Sequence, residues 1–272
     1  LTTKTEPNNL RLTSELPTHE YAIMFRVEDN FWWYKGMRHH LQTVLTRHWD
    51  WQKSPNPLVL DAGCGTGAIL ERLVHGFDNT INIKNAYGFD ISPSALSFCQ
   101  KRGLGSRITR GSIAAIPYAS QTFDIVTSFD VLSYIENVEL GFREVSRVLK
   151  HQGLAIINLP AYQWLYSEHD IAVNTLRRFN KNEVTALLAQ AGMRLERITY
   201  VNSFLFPPAA AIRLLKRRKL TRQAQAHSDL TPPHPLINNT LTKIMALESK
   251  ILQKTNYNLP FGLSVLALAR KM

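Results

Sequence analysis

Only two cysteines, Cys64 and Cys99, occur in 272 residues. Their separation fits neither a metal-ligand nor a Cys-x-x-Cys redox spacing, which argues against a disulfide framework and leaves two reduced thiols. No apolar run approaches the ~18 to 20 uncharged residues that a spanning helix needs. The first residues lack the basic, apolar and small-residue zones of an export signal, so a cytoplasmic protein is expected, with peripheral membrane association left open. His39, His40 and His48 have no partner set for a metal, and none is expected. Acidic residues are also short, 21 against 32 Lys and Arg, for a net charge of +11. Most of that excess falls between residues 203 and 256, where nine basic residues face two acidic ones. Such a field suits nucleic acid, anionic lipid or an acidic substrate, and equally a solvated face.

What is present is enough apolar residue, 44%, to bury a full core. Residues 1–19 are polar and carry Pro7 and Pro17, which predicts a flexible arm. One helical stretch is expected from Tyr21 to Arg47, within a lid of residues 20–56; its cluster Phe31, Trp32, Trp33 and Tyr34 packs on either the core or a ligand. From Pro57 short apolar strands alternate with helical segments of ten to fifteen residues, the pattern of βαβ units. Strands are expected at 58–62, 86–90, 107–109, 123–129, 154–159, 194–200 and 262–270. Ser92 and Pro93 open one helix and Gly103 ends it; Asn180 with Glu183 forms a capping-box-like start for another. The fold class is α/β: a doubly wound, seven-stranded, mostly parallel sheet with a reversed last strand and a helical cap insertion. The core comprises residues 57–202 and 257–272, and residues 203–256 form the basic insertion.

Chemistry concentrates in Val59-Leu60-Asp61-Ala62-Gly63-Cys64-Gly65-Thr66-Gly67. A buried strand turns there into a helix through three glycines, which permit unusual dihedrals and close approach of a ligand to the backbone. Gly63, Gly65 and Ala68 also satisfy the G-x-G-x-x-A dinucleotide fingerprint, so the glycines alone do not separate nucleotide classes. Asp61 at the strand tip would repel a pyrophosphate and suits a cationic ligand. Asp90 ends the next strand, where a carboxylate can accept hydrogen bonds from ribose hydroxyls in either class.

With these residues the chain resembles the class I S-adenosylmethionine-dependent methyltransferases, in the small-molecule branch with a type 11 domain. The resemblance is strong over residues 31–159 and looser over 160–272. It implies S-adenosylmethionine as cofactor, with Asp61, Gly63, Cys64, Gly65 and Gly67 around the methionine part, Asp90 on the ribose and Ile91 beside the adenine. The family usually has an acid before an apolar residue at the end of the third strand; here Gly111-Ser112-Ile113 stands there, and Ser112 can make the contact more weakly. Ser128-Phe129-Asp130-Val131-Leu132 matches the floor of the donor pocket. Tyr134 stands where many relatives have histidine. Arg38 is expected to reach the methionine carboxylate from the lid.

The acceptor side is expected after the fifth strand, around Tyr162, Trp164, Tyr166, Glu168, His169 and Asp170. Catalytic candidates are His169, Asp170 and Tyr134. Arg177 and Arg178 either bind an acidic substrate group or close the segment onto Asp170. In the insertion, Phe204 to Leu215 is apolar and Lys216 to Lys219 basic, a pairing that suits either contact with anionic membrane or lipid-linked substrate, or a packed cap with a solvated end. The expected reaction is in-line methyl transfer to O, N or C of a fairly apolar or lipid-like small molecule. An RNA methyltransferase and a non-catalytic cofactor-binding subunit are the alternatives. Against the former, the fourth strand is followed by neither an Asn/Asp-Pro-Pro-aromatic nor a Pro-Cys motif.

Overall fold

The computed structural model describes residues 16–77, 81, 83–217 and 231–272. The arm up to residue 15 and the side chains of the basic cluster at 216–219 lie outside the described residues. Strands β1 (Leu58–Ala62), β2 (Asn85–Asp90), β3 (Ile108–Arg110), β4 (Phe123–Phe129), β5 (Leu149–Pro160), β6 (Met193–Val201) and β7 (Ser264–Lys271) form one sheet. Its order is β3-β2-β1-β4-β5-β7-β6. Neighbours from β3 to β5 run parallel, and β7 runs antiparallel to both β5 and β6. The mostly parallel sheet with a reversed last strand is therefore present.

The strands read as continuous apolar runs because both faces are covered. Val59, Ile125 and Ile156 face one way, into a core shared with Leu41, Leu70 and Cys99. Their neighbours Leu60, Val126 and Ile157 face the other, against Phe142, Val145 and Leu188. The strand order reverses between β1 and β4, and a doubly wound sheet opens a crevice at the strand ends there.

The helical stretch expected as one is two, α1 (Thr18–Val27) and α2 (Trp32–His48). The chain breaks between them, with Phe31 extended at φ −70° and ψ 131°. The helices α3 (Ala68–His75), α4 (Pro93–Lys101), α5 (Val138–Val148), α6 (Glu168–Ala172) and α7 (Lys181–Gln190) follow. Pro93 does open α4, but Ser92 uses its backbone N–H, donated to Asp90 Oδ1 at 3.0 Å, rather than a capping hydroxyl. At α7 the Glu183 N–H donates to Asn180 Oδ1 at 3.0 Å, while the Glu183 carboxylate pairs with Arg177 instead of completing the box.

The insertion supplies α8 (Phe206–Arg217) and α9 (Pro235–Lys254). Helix α9 lies along α2, and the approach is tight: a Cβ on Gly36 would stand 2.0 Å from Met245 Cε. Buried Glu248 accepts the N–H groups of Asn202 and Ser203 at 2.5 and 2.7 Å, which pins the start of the insertion to the end of β6. His40 Nδ1 meets Ser249 Oγ at 2.9 Å, and burial lowers the imidazole to about 4, so it is neutral near pH 7. This second helix braces α2 and the sheet edge.

Candidate functional site

A cavity of about 750 Å³ opens at the carboxyl ends of β1, β2, β4 and β5. Asp61 and Gly63, Phe89 and Asp90, Phe129 and Asp130, and Pro160 are its walls at those four strand ends. Its size falls in the usual range for ligand sites, roughly 300–1,000 Å³. The aromatic cluster on α2 roofs it: Phe31, Trp32, Trp33 and Tyr34 all line the cavity, with Trp32 and Trp33 also packed against Leu205, Ala210 and Met245. Both readings of that cluster, core and ligand wall, therefore apply.

On one side stands the glycine loop. Gly63 (φ +76°) and Gly65 (φ +54°) take left-handed conformations that only glycine adopts without strain, and a Cβ on Gly63 would meet Val131 Cγ2 at 2.4 Å. Cys64 also lines the wall. Gly67 does not: it sits behind the loop at φ +91°, where a Cβ would come 3.0 Å from both Cys99 Sγ and Leu104 Cδ1. Its glycine serves packing of the loop on α4 rather than ligand approach.

Asp61 is buried, and Thr127 Oγ1 donates to its Oδ1 at 2.8 Å while Oδ2 has no partner among the described residues. Burial, with the Asp90 charge adding to it and the Thr127 bond opposing, pushes this carboxyl up to about 7. Asp90 is aimed by two backbone donors, Gly65 N–H at 2.9 Å and Ser92 N–H at 3.0 Å. A carboxylate oxygen has room for further hydrogen bonds beside these. Ile91 and Ile113 line the wall next to it. Ser112 does not, because its hydroxyl accepts the Ala114 N–H at 3.1 Å in a local turn and Gly111 and Ile113 form the wall around it.

Arg38 lines the cavity, but its guanidinium donates to Glu28 O at 2.8 Å and Asp29 O at 3.1 Å. It thereby holds the end of α1. A second set of contacts, missed from sequence, ties the same corner to the loop. Thr66 Oγ1 donates to Glu28 Oε1, and Arg102 donates to Glu28 Oε1 at 2.8 Å, to Glu71 Oε2 at 2.6 Å and to the Thr66 carbonyl at 3.1 Å. Phe25 stacks on Phe98 beside them. Isolated charges on the sequence carry no sign of this pairing, since Glu28, Thr66 and Arg102 come from three separate elements.

Across the cavity lies the segment after β5. His169, Asp170, Thr175 and Arg178 line it, as do Ala209, Ile212 and Arg213 of α8. Asp170 is not poised as a catalytic partner for His169: Arg178 donates to its two oxygens at 2.8 and 3.0 Å, and the Ser167 N–H and hydroxyl also reach Oδ2 in a capping box for α6. The arginine closes the segment onto Asp170, and Arg177 turns away to Glu183 and the Phe179 ring. Tyr134 is at the cavity, but burial pushes its phenol well above the ordinary tyrosine value, so it is protonated near pH 7 and is no base there. Asp130 belongs to the Ser128 to Leu132 motif that resembles a donor-pocket floor. It has φ +62°, lines the cavity, and its Oδ1 accepts Asn158 Nδ2 at 3.0 Å.

A family model described as a methyltransferase domain matches residues 60–157. The chain is 27% identical over 195 residues to a probable S-adenosylmethionine-dependent methyltransferase of Mycolicibacterium smegmatis, covering 70% of each. It is 28% identical to 2-methyl-6-phytyl-1,4-hydroquinone methyltransferase 1 of Oryza sativa subsp. japonica, over 57% of this chain and 50% of that protein. Other curated relatives are matched over about half their length. Among solved structures, one described as a possible histamine N-methyltransferase of Thermotoga maritima aligns over 93% of this chain and 96% of its own, with TM-score 0.54 and 16% identity. That likeness shows the fold.

Proposed function

We propose that this chain, whose core matches a methyltransferase domain and which is similar to S-adenosylmethionine-dependent methyltransferases, takes S-adenosylmethionine as its cofactor and methylates a small, fairly apolar or lipid-like molecule. The single observation that carries the reading is the cavity: polar groups for the donor gather at the β1 and β2 ends, and an aromatic roof with Ala209 and Ile212 faces them, beside the polar segment His169 to Arg178. The donor-side residues fit the cofactor. Asp61 presents a buried oxygen without a partner, suited to the ammonium of the methionine part, and Asp90 is oriented to accept from ribose hydroxyls. Ile91 and Ile113 offer apolar surface to an adenine.

Bound there, S-adenosylmethionine supplies a methyl group on a sulfonium, so alignment of acceptor with methyl contributes much of the rate. This chain's residues would provide that alignment. Asp61 and Asp90 hold the donor side, Trp32, Trp33 and Tyr34 close the roof and exclude water, and Ala209 and Ile212 present apolar surface to the acceptor. The prenylated hydroquinone in the name of the rice relative is a molecule of that character. Peripheral contact with a lipid surface belongs to the same reading: Phe204, Ile212, Leu236 and Ile237 on the insertion are exposed. No helix among the described residues is long and apolar enough to cross a membrane.

Incubation of the protein and S-adenosylmethionine with a cell extract, followed by phase partition and mass spectrometry, tests the proposal. Products heavier by one methylene should appear in the organic phase. Methylation confined to RNA would overturn it.

A further inference from the structure

Asp130 stands at the end of β4, where the two halves of the cavity meet. Next to it, Val131 is the side chain that a Cβ on Gly63 would strike, so the β4 end abuts the donor loop. On its other flank lies Asn158 of β5, the strand that runs on to Pro160 and the acceptor segment. A non-glycine residue held at φ +62° in a cavity wall is strain of the kind that gathers at active sites. Two contacts maintain it: the Asp130 N–H donates to the Asn158 carbonyl at 2.9 Å, and the Asn158 amide donates to Asp130 Oδ1 at 3.0 Å. Asn158 is itself buried, so the carboxylate is aimed by a fixed group and Oδ2 is the oxygen left for a ligand.

We infer that Asp130 is the catalytic base, taking the proton that a hydroxyl, amine or acidic carbon of the acceptor gives up as it is methylated. This rests on the methyl-transfer reading above. In the step, the acceptor atom forms a bond to the methyl carbon, the sulfur–methyl bond breaks with its electron pair kept by sulfur, and the acceptor proton passes to the Asp130 carboxylate and then to solvent. Three rivals around the cavity are less suited, and His169 is set against Asp130 by its own variant. Tyr134 is protonated near pH 7, and the charge of Asp170 is matched by Arg178. Asp61 is bonded to Thr127 within the β1 end, on the donor side.

Asp130 also has a base's acidity. Burial raises it to about 6, with the Asn158 bond and the Arg178 charge opposing and the Asp170 charge assisting. A base whose pKa lies near working pH is largely ionised and still accepts a proton readily. The groups that face it are Asn158 from β5, Arg178 and Asp170 from the acceptor segment, Tyr134 from the turn after β4 and Tyr34 from α2.

Asp130→Asn tests the assignment, because asparagine tolerates left-handed backbone and retains an oxygen for the Asn158 amide. With S-adenosylmethionine and the cell extract, formation of methylated product should fall by about 10²- to 10⁴-fold. Binding of S-adenosylhomocysteine, measured by calorimetry, should change by less than about threefold, within the usual cost of a lost weak contact. At saturating S-adenosylmethionine, where ionisation of Asp61 no longer limits donor binding, the wild-type rate should rise with pH through about 6, and that limb should vanish in the variant. Unchanged product formation would overturn the inference, as would a loss that merely parallels weaker binding of S-adenosylhomocysteine. A second measurement needs no acceptor: in carbon-13 aspartate-labelled protein saturated with S-adenosylhomocysteine, the carboxyl signal missing from the variant should titrate near 6. A titration midpoint near the ordinary aspartate value of about 3.9 would also overturn it. Absence of any methylated product from the wild type, with the carboxyl still titrating near 6, would count against the methyl-transfer reading instead.

Discussion

Thr66 Oγ1 in the glycine loop donates to Glu28 Oε1 at 2.5 Å, joining the ligand loop to the end of the first lid helix. Arg102 completes the junction, and its side chain and that of Glu28 are both almost fully buried. The roof over the cavity is thus latched to the floor through Glu28, with the exposed Asp29 carboxylate also accepting from Arg102 at 3.1 and 3.2 Å. Glu28→Ala removes the buried partner of Arg102 but leaves Glu71 and Asp29 to it, so the cost stays below the ~3–5 kcal/mol of an uncompensated buried charge. Release of S-adenosylhomocysteine, followed through tryptophan fluorescence from Trp32 and Trp33, should quicken by about tenfold or more, equivalent to ~1.4 kcal/mol. An unchanged release rate would remove the latch.

Asp61 should link cofactor binding to protons. Its carboxyl is raised from 3.8 to about 7. A raised acid stabilises the folded protein in its protonated form, so this contribution is fully present below 3.8 and is lost as pH rises through about 7. Binding of the ligand's ammonium favours the ionised form and expels the proton. Calorimetry with S-adenosylhomocysteine at pH 6, in buffers of different ionisation enthalpy, should reveal up to about one proton released. The Asp61→Asn variant should release correspondingly less and bind more weakly.

Helix α9 should respond to α2. Gly36→Val would drive its side chain into the buried Met245, where a Cβ alone already meets Sδ at 2.3 Å. Overpacking of this kind costs about 1–3 kcal/mol. A lower melting temperature is expected, partly restored by Met245→Ala in the same chain. Equal damage with and without the second change would place the fault elsewhere.

His169→Ala distinguishes the acceptor-side candidates. With Asp130 as base, the histidine contributes cavity wall, and product formation should fall by less than about tenfold, short of the 10²- to 10⁴-fold loss of a general base. A loss as large as that of Asp130→Asn would return the role to the histidine.

Much of the core could be read from its residues. The strands of the sheet are β-rich runs bounded by turns, and the two adjacent strands after the last packed helix have the shape of a reversed final hairpin. Asp61 and Asp90 were legible because each ends a strand whose position the apolar pattern sets. The break at Glu28 was not, because the apolar spacing continues from α1 into α2 and only the distant Thr66 and Arg102 explain the turn. Ser112 and Gly67 were assigned to the ligand by their place in a motif, yet one satisfies a turn and the other clears space for Cys99 and Leu104. Asp130 stayed silent for a different reason: its left-handed backbone and its Asn158 partner exist only after β4 and β5 pair.

The identity of the bound nucleoside is tested most directly by calorimetry on the wild-type protein. Titration with S-adenosylhomocysteine should give a saturable exchange of heat at one site per chain, abolished or strongly weakened in Asp61→Asn and Asp90→Asn, while NAD gives none. Saturable binding of NAD with no response to S-adenosylhomocysteine would contradict it.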